Sequence, residues 1–443
     1  MDETEVLLAS LARAWEDFGS ADGGGRIGEA EGLESDLLVA LRWLEDAADT
    51  EGVGESARAA RAAVWAAAGR SARLEERLQL EYDALLLSLD RELETTPPAL
   101  AGAVKHQRCL EVPVLYATDR RPETVDGVLA GFAGDRGELA YGIVRVCVPD
   151  DHRLGALEKP RKWRLQFRAR PERDVAVGSL SPLTADEFVK AAAGLAAGAT
   201  GGDTLVFIHG YRVSFEDAAR RAAQLAYDLQ FPGLPMLYSW PSEARASRYA
   251  VDEDNARWSL PHFREFLRLL RDEVGGLVHV IAHSMGNRML AEALGAGPSL
   301  GQVAQDAEGA VGAGGLGHVV FAAPDVDASV FTDLARSFAW GSGRFTLYAS
   351  SKDQALRLSR RLKKYPRAGQ SGKGIVVVAG VDTIDATALD TGLMSHSYYG
   401  DNTSIVADIY AIIRQGHPPD QRFGLRSVRH PDGQYWAFTP QRG

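Results

Sequence analysis

The chain has 443 residues, of which 45% are hydrophobic and 25% are charged, a composition typical of globular proteins. Its formal net charge of -11 argues against a general nucleic-acid-binding protein, which would need a basic surface to displace counterions. The start of the chain is acidic and amphipathic, and no run reaches 18 apolar residues without a charge, so we predict a cytoplasmic protein without a transmembrane segment. Only two cysteines, Cys109 and Cys147, are present and no metal-ligand spacing occurs, so we expect reduced thiols, no cofactor and no metal.

Residues 1–100 carry apolar side chains at helical spacing, for example Leu7, Leu11 and Trp15. The run Thr96-Pro97-Pro98 cannot continue a helix and is typical of a linker. We therefore predict a helical N-terminal region over 1–100 that serves as an interaction, regulatory or covering module. A separate domain is predicted over 108–443.

After residue 110 the pattern changes to apolar runs of strand length that alternate with helical runs. We predict strands at EVPVLYATDR, YGIVRVCVP, WRLQFRAR, TLVFIHG, PMLYSW, VHVIAHS, HVVFAAPD, RFTLYAS and GIVVVAGVD. Helices are predicted at DEFVKAAAGLAAG, FEDAARRAAQLAYDL, PHFREFLRLLRDEVG and GNRMLAEALG. This alternation predicts an α/β fold with a mostly parallel sheet flanked by helices, whose functional groups collect at the carboxyl ends of the strands.

A serine stands between one of these strands and the helix that follows it, in the stretch VHVIAHSMGNRML. Its neighbours Ala282-His283-Ser284-Met285-Gly286 differ by one methyl group from the G-x-S-x-G pattern of a nucleophile elbow. In such an elbow a sharp turn holds the serine hydroxyl above the sheet, and small neighbours allow the turn to pack tightly. Ser284 is the predicted nucleophile.

A serine nucleophile needs a general base, usually a histidine that follows it in the chain of this type of fold. Four histidines follow Ser284. His318 begins a strand at the wrong end, and His417 and His430 belong to a polar tail. His396 lies in a loop soon after the strand GIVVVAGVD, where a base would reach the elbow, and is the predicted base.

The acid that orients the base has more than one candidate. Asp353 directly follows the strand RFTLYAS, whereas Asp325 and Asp327 follow HVVFAAPD, one strand earlier. The order of strands before the base favours Asp353, with Asp325 as the alternative. If Asp325 has a structural role instead, it would cap a helix or stabilise a turn after Pro324.

Two backbone N–H groups are needed to stabilise the tetrahedral intermediate of acyl transfer. We assign one to Met285, directly after the nucleophile, and the other to Tyr211, in the loop after TLVFIHG. Gly210 allows the backbone to turn close to the site. We expect His209 to be a structural hydrogen-bonding residue.

The ordered segments TLVFIHGYRVSFEDAARRAAQLAYDL, MLYSWPS, VHVIAHSMGNRML, APDVD, LYASSKDQAL and SHSYYGD together resemble the α/β-hydrolase family DUF900 of the esterase/lipase superfamily, over roughly residues 110–440. The resemblance implies an α/β-hydrolase sheet with Ser284, Asp353 and His396 as a triad. Arg212 is a departure, because the family pattern has Asn after HGY.

The preferred interpretation is a carboxylesterase or lipase-like serine hydrolase that cleaves carboxylic esters, lipid esters among them, through an acyl-enzyme. The helical residues 1–100 would regulate it, bind a protein partner or mediate self-association. The alternatives are an amidase or peptidase with the same triad, and a partner-binding or effector protein whose hydrolase fold is only a scaffold.

Overall fold

The computed structural model describes residues 100–439 except 107, 156, 158–173, 198–200, 244–247, 296–314, 339–342 and 390–402. All of these residues belong to one compact unit, Leu93–Pro440. The helices predicted in 1–100, the strand predicted at WRLQFRAR and the predicted base His396 lie outside the described residues. Within the described part of the chain, no helix combines the length and the apolar character needed to cross a membrane.

One large sheet is the framework of this unit. Its strands are β1 Val104–Lys105, β2 Cys109–Val125, β3 Val128–Pro149, β4 Ala176–Leu183, β5 Thr204–Ile208, β6 Leu234–Ser239, β7 Leu277–His283, β8 Gly315–Ala322, β9 Phe345–Ala349, β10 Val381–Asp385, β11 Leu425–His430 and β12 Gly433–Phe438. The helices are α1 Ala185–Ala197, α2 Phe215–Asp228, α3 Tyr249–Trp258, α4 Leu260–Leu269, α5 Gly286–Gly295, α6 Ala328–Ala335, α7 Gln354–Lys363 and α8 Thr403–Gln415. A π-helical turn, Leu270–Val274, extends α4, and a 3₁₀ turn, Pro419–Gln421, precedes β11.

The strands lie side by side in the order β11-β12-β10-β9-β8-β7-β5-β6-β2-β3-β4, with β1 paired to β2. All neighbours between β12 and β2 in this order are parallel, and the remaining pairs are antiparallel. The predicted fold class, a mostly parallel sheet flanked by helices, is therefore confirmed. Strand β7, which precedes Ser284, lies between β5 and β8 in the interior of the sheet.

Both faces of the central strands are buried, as parallel sheets require. Along β5, Leu205 and Phe207 pack into one hydrophobic cluster, while Val206 and Ile208 pack into the cluster on the opposite face. Helix α2 covers the first of these faces, and Ser214 accepts a hydrogen bond from the Asp217 N–H to cap its N-terminus. This two-sided burial explains why the central strands are continuous apolar runs in the sequence.

One predicted strand is wrong in its boundaries. The apolar run GIVVVAGVD was predicted as a strand, but β10 is Val381–Asp385, and only the end of the run pairs in the sheet. Val376 and Val378 are buried against the hydrophobic core without joining the ladder, and the Val376 carbonyl accepts a hydrogen bond of 2.8 Å from the Thr383 hydroxyl. The run is apolar because it is buried, so hydrophobicity alone could not locate the strand.

The structure also corrects the prediction of a polar tail. Residues 425–438 form the hairpin β11–β12, and β12 joins the sheet parallel to β10. Most of its side chains are solvated, and only the end of β12, with Ala437 and Phe438, is buried. An edge hairpin of this kind has too few buried positions to show a clear alternation in the sequence.

The two cysteines lie on the paired strands β2 and β3. Their Cα atoms are 5.6 Å apart, and the structure joins Cys109 and Cys147 in a disulfide. The separation lies within the range that a disulfide spans. Composition alone predicted reduced thiols because two cysteines form no recognisable disulfide pattern.

Candidate active site

Ser284 occupies a strained turn between β7 and α5. Its φ angle is 51°, a left-handed conformation that side chains other than glycine rarely adopt. Backbone hydrogen bonds hold the turn from several sides. The Ser284 N–H donates to the Ala322 carbonyl at 3.0 Å, and the Ser284 carbonyl accepts from the N–H groups of Asn287 and Asp325 at 3.2 and 3.1 Å. This is the geometry predicted for a nucleophile elbow.

Two glycines allow neighbouring backbones to approach this turn. A Cβ atom on Gly286 would lie 2.4 Å from the His209 carbonyl oxygen, and one on Gly210 would lie 2.8 Å from the Ser284 Cβ. Neither position can hold a side chain without moving backbone or the serine itself. The loop after β5 therefore lies directly against Ser284.

Four side chains hold this loop, residues 209–213, through its backbone. Trp240 Nε1 donates to the His209 carbonyl at 2.8 Å, and Arg120 Nη2 donates to the Val213 carbonyl at 2.7 Å. On the other side, the Val213 N–H donates to the Ser242 hydroxyl at 3.2 Å and the Arg212 N–H to an Asp252 carboxylate oxygen at 3.3 Å. The holding residues are Arg120, Trp240, Ser242 and Asp252, and all four are buried.

Arg120 is the most extensively bonded of the four. Besides Val213, its guanidinium donates to the Ser239 hydroxyl at 2.9 Å, to the carbonyls of Ala133 and Ser242 at 3.2 and 3.1 Å, and contacts His209 Nε2 at 3.1 Å. Burial lowers the pKa of Arg120 to about 10, so the guanidinium remains protonated at neutral pH. Sequence reasoning missed this residue, although a charged residue that follows the apolar run VPVLYAT was an available signal.

His209 is neutral in this network. Burial, together with the neighbouring Arg120 guanidinium, holds the pKa of His209 well below its ordinary value. Because Arg120 can only donate, Nε2 of His209 is an acceptor, and Nδ1 carries the proton that bonds to the Gly210 carbonyl at 2.8 Å. The ring also stacks on Trp240, with centroids 5.0 Å apart. His209 is a structural residue of the loop after β5, as the sequence analysis expected.

Arg212, where the resembled family has asparagine, also adopts a left-handed conformation, with φ of 61°. Asparagine tolerates this region better than arginine, because its short side chain bonds to its own backbone. The Arg212 side chain is exposed to solvent, while its N–H bonds to buried Asp252. Arg212 therefore differs from the family pattern at a position where the backbone is left-handed.

The two assigned oxyanion donors belong to the turn at Ser284 and to the loop that lies against it. Met285 is fully buried, and among the described residues no hydrogen bond engages its N–H. Tyr211 belongs to the loop held by Arg120 and Asp252, and its ring packs edge-on against Tyr249 at 5.4 Å. Ile208 and Ala282 are paired in register, so the two loops leave the sheet side by side.

Among the described residues, the carboxylate of Asp325, the alternative acid, contacts side chains other than histidine. Its carboxylate oxygens accept hydrogen bonds from the hydroxyls of Tyr249 and Ser359, each at 2.6 Å, and Arg367 Nε lies 3.4 Å away. Asp327 caps α6 by accepting from the Ser329 and Val330 N–H groups. The N-cap role considered for Asp325 thus belongs to Asp327.

Asp353, the favoured acid, is buried and lies four residues after the end of β9. One of its carboxylate oxygens accepts the Leu356 N–H at 2.9 Å and so caps α7. Strand β9 pairs with β10 along its length, up to Ala349 opposite Asp385. His396 comes eleven residues after Asp385, within the segment 390–402 that lies outside the described residues. The structure brings Ser284, Met285, Tyr211, Asp325 and Asp353 to one edge of the sheet.

Comparison with known proteins agrees with this fold. Residues 195–415 match the model of a family described as "Alpha/beta hydrolase of unknown function (DUF900)". No curated protein matches the chain.

Similar solved structures are esterases, all with low sequence identity and low structural overlap. The monoclinic form of the Pyrobaculum calidifontis esterase has 13% identity and a TM-score of 0.26, with 78% of this chain and 98% of that chain covered. A second structure of the hyperthermophilic esterase from this archaeon has 13% identity and a TM-score of 0.25 at the same coverage. A bacterial heroin esterase has 12% identity and a TM-score of 0.24, with 76% of this chain and 90% of that chain covered.

The family match spans α2, the elbow at Ser284 and both candidate acids. Over residues 195–415, the chain belongs to the DUF900 family of α/β hydrolases.

Proposed function

We propose that this protein is a serine hydrolase that cleaves carboxylic esters through an acyl-enzyme. Ser284 is the nucleophile, His396 the general base and Asp353 the acid that orients it. The N–H groups of Met285 and Tyr211 form the oxyanion hole. No cofactor takes part in this mechanism.

The observation that carries this proposal is the conformation of Ser284. A non-glycine residue with φ of 51° persists only where the surrounding structure holds it, and such strain is concentrated at functional sites. Here Gly210 and Gly286 permit close approach, and backbone bonds from Asn287 and Asp325 fix the turn.

The proposed chemistry is that of a serine, histidine and aspartate acting together. His396 accepts the Ser284 hydroxyl proton as the serine oxygen attacks the ester carbonyl carbon. The resulting oxyanion accepts hydrogen bonds from Met285 and Tyr211, and the histidine then protonates the departing alcohol. Water, activated by the same histidine, hydrolyses the acyl-enzyme and restores the serine.

The support given to the loop after β5 suits this role. Oxyanion stabilisation depends on donors that are already oriented before the reaction, since reorientation would cost free energy in the transition state. Arg120, Trp240 and Asp252 hold the backbone around Tyr211 from three directions. We infer that Arg120 is a positioning residue for the oxyanion hole.

We further propose that residues 108–443 form the catalytic domain and that residues 1–100 form a helical module that regulates it, covers it or binds a protein partner. Lipid esters are candidate substrates. The cytoplasm is the location proposed from the sequence, although the Cys109–Cys147 disulfide is more typical of an oxidising compartment. Expression of residues 103–443 tests the role of the module. If that fragment stays monomeric and as active as the monomeric full chain on small and natural esters, regulation and assembly through residues 1–100 are excluded.

The nucleophile is tested by fluorophosphonate labelling and by turnover of p-nitrophenyl esters. Ser284→Ala should lose labelling, and its kcat should fall by roughly 10⁴-fold or more, as when a triad serine is removed. Ser337→Ala is the matched control, because this exposed serine bonds only within the end of α6 and to the Gly295 carbonyl. Near-parental turnover by Ser284→Ala would refute the assignment.

The same experiment separates the alternatives. An amidase would turn over p-nitroanilides of the same acyl group as readily as the esters. A scaffold protein would neither label nor turn over any acyl substrate.

A further inference from the structure

Helix α7 lies across the edge of the sheet that carries Ser284. Asp353 is the N-cap of this helix. The Ser359 hydroxyl of α7 bonds to Asp325 at 2.6 Å, and Lys363 forms an ion pair with Glu253 of α3. The chain after it stays at this edge, since the Gly369 N–H donates to the Pro324 carbonyl at 2.9 Å. Asp325, which bonds to Ser359, also donates its N–H to the Ser284 carbonyl, so a single residue links α7 to the elbow.

The outer face of α7 is cationic. Arg357, Arg360 and Arg361 share one side of the helix, at positions i, i+3 and i+4. Together with Lys364, directly after α7, and Gln370 they line a groove of 570 Å³. None of the four forms an ion pair with any described carboxylate. Exposed arginines elsewhere, such as Arg121 and Arg336, are paired with neighbouring aspartates.

Large apolar side chains are exposed beside these cations. Leu358 is 58% exposed, and Tyr365, in the turn after α7, is 65% exposed. Leu358 is one position from Arg357 on the helix, and the buried side chains Leu356 and Ser359 point the other way. A helix with a cationic stripe and adjacent exposed apolar side chains is typical of elements that lie on anionic membrane surfaces.

The distribution of charge along the chain permits such an interaction despite the net charge of -11. Residues 1–55 contain 15 Asp and Glu but 3 Arg, whereas the rest of the chain contains 45 Asp and Glu and 46 Lys and Arg. The acidic excess therefore belongs to the first 55 residues. The rest of the chain, which contains α7, has a formal net charge of +1.

We propose that α7 and the turn after it form a docking surface for anionic phospholipid membranes, with the four cations on lipid phosphates and Leu358 and Tyr365 at the boundary of the acyl chains. A soluble anion would engage the cations but leave both apolar side chains in water, which is why the membrane surface fits better. The surface would hold the edge that carries Ser284 near the lipid. Binding at this surface does not depend on the proposed hydrolase chemistry.

Co-sedimentation of the full chain with vesicles tests the proposal. Vesicles of phosphatidylcholine with about one-third phosphatidylserine should bind the protein, pure phosphatidylcholine vesicles should not, and binding should weaken with salt. Replacement of all four cations by Gln should lower the partition coefficient by roughly 100-fold or more. Replacement of Leu358 and Tyr365 by Ser should lower it by roughly tenfold. Ser284→Ala should bind as the parent does, which keeps this test separate from that of the hydrolase.

The matched control removes four exposed cations from other elements. Gln replacements at Arg268, Arg414, Arg426 and Arg429 change the net charge equally, and none of these arginines forms an ion pair with a described residue. Equal loss of binding in the control, unchanged binding in the α7 variant, or no preference for anionic vesicles would each overturn the proposal. Complete displacement from vesicles by millimolar inorganic phosphate at constant ionic strength would overturn it in favour of a soluble-anion site.

Discussion

Non-glycine residues with strained backbone angles are more frequent at the carboxyl edge of the parallel sheet than at its amino edge. At the carboxyl edge, three successive strand ends carry non-glycine residues with positive φ: Arg212 after β5, Ser284 after β7 and Ala323 after β8. At the amino edge, the tight turn that enters β7 uses glycines, Gly275 and Gly276, with φ of 79° and 71°. Glycine adopts this region without strain, whereas other residues are strained there. Strain is therefore concentrated at the edge with the candidate nucleophile, while Gln230, between α2 and β6, is a strained residue at the amino edge.

Histidines at the two edges support the same distinction. At the amino edge, His279 and His318 stack with centroids 5.3 Å apart, and their Nδ1 atoms accept the N–H groups of His318 and Arg344, each at 3.0 Å. These bonds hold β7, β8 and β9 to one another. At the carboxyl edge, His209 bonds instead to Arg120 and to the loop against Ser284. The same residue type therefore supports the sheet at one edge and the candidate site at the other.

Among the substitutions that test the difference between the two edges, Asp353→Asn is expected to have the largest effect. Asp353→Asn should retain the cap of α7, because asparagine accepts the Leu356 N–H equally well, and the protein should fold normally. Its kcat for ester hydrolysis should fall by roughly 10⁴-fold, because the neutral amide would favour the wrong histidine tautomer. Steady-state kinetics on p-nitrophenyl esters would measure this loss.

Two aspartates provide controls for that substitution. Asp327→Asn changes the cap of α6 in the same way and should leave kcat unchanged. Asp325→Asn should lower the thermal stability, because it leaves the buried Arg367 without its carboxylate partner, but the folded fraction should remain active. A crippled Asp325→Asn enzyme beside a nearly normal Asp353→Asn enzyme would reverse the assignment of the acid.

A smaller loss of kcat is expected at Arg120. Arg120→Lys keeps the charge but cannot reproduce the five contacts of the guanidinium, so the loop that carries Tyr211 should become less well oriented. We expect kcat to fall by roughly 100-fold, the scale of losing one oxyanion donor, with little change in KM.

Arg422→Lys is the matched control, because Arg422 is equally buried and bonds to Asp408 at 3.0 Å, away from the loop after β5. It should lower the melting temperature while the folded enzyme keeps its kcat. If the two variants lose kcat in proportion to their loss of stability, Arg120 has no special positioning role.

His318, at the amino edge, should make the protein less stable in acid. Burial lowers the pKa of His318 from 6.5 to about 4, so the unfolded chain binds protons more readily than the folded protein between these values. The stability that His318 contributes is therefore complete above about pH 6.5 and is lost as the pH falls towards 4. Because the ring is partly exposed, we expect this loss to be about 1–2 kcal/mol.

Chemical denaturation of His318→Asn at pH 7 and pH 4.5 would measure this contribution as a smaller decline with acid. His262→Asn should change the decline in the opposite sense, because the hydrogen bond to Asp119 raises the pKa of His262. An unchanged decline in His318→Asn would show that other groups govern acid unfolding.

The smallest effect concerns Arg212, a strained residue at the carboxyl edge with no proposed catalytic role. Arg212→Asn and Arg212→Gly should stabilise the protein by about 0.5–1 kcal/mol, because both residues adopt φ of 61° more readily than arginine. Gln230→Gly should give a similar gain, since Gln230 has φ of 44° after α2. Only the Arg212 variants should also change ester kinetics, because Arg212 follows Tyr211. A loss of stability in Arg212→Gly would mean that the side chain contributes more than its strain costs.

The sequence by itself determined the α/β architecture and the place of the elbow. Parallel strands covered on both faces must be apolar throughout, so β5, β7 and β8 were visible as runs between helical segments. Ser284 was predictable because the elbow needs a strand, small neighbours and a helix within a few residues, all of them local features. The structural role of His209 followed from the same local context.

Only the tertiary structure decided which distant residues support this edge. Arg120 and Asp252 reach the loop after β5 from positions far away in the chain, and no local pattern encodes such pairings. Tertiary contacts also give the Asp325 carboxylate its partners Tyr249 and Ser359, which sequence order could not predict. The start of strand β10 was predicted wrongly because burial makes a segment apolar whether or not its backbone joins the sheet. Periodicity and turn chemistry report local conformation, whereas the partners of buried polar groups depend on which elements the fold brings together.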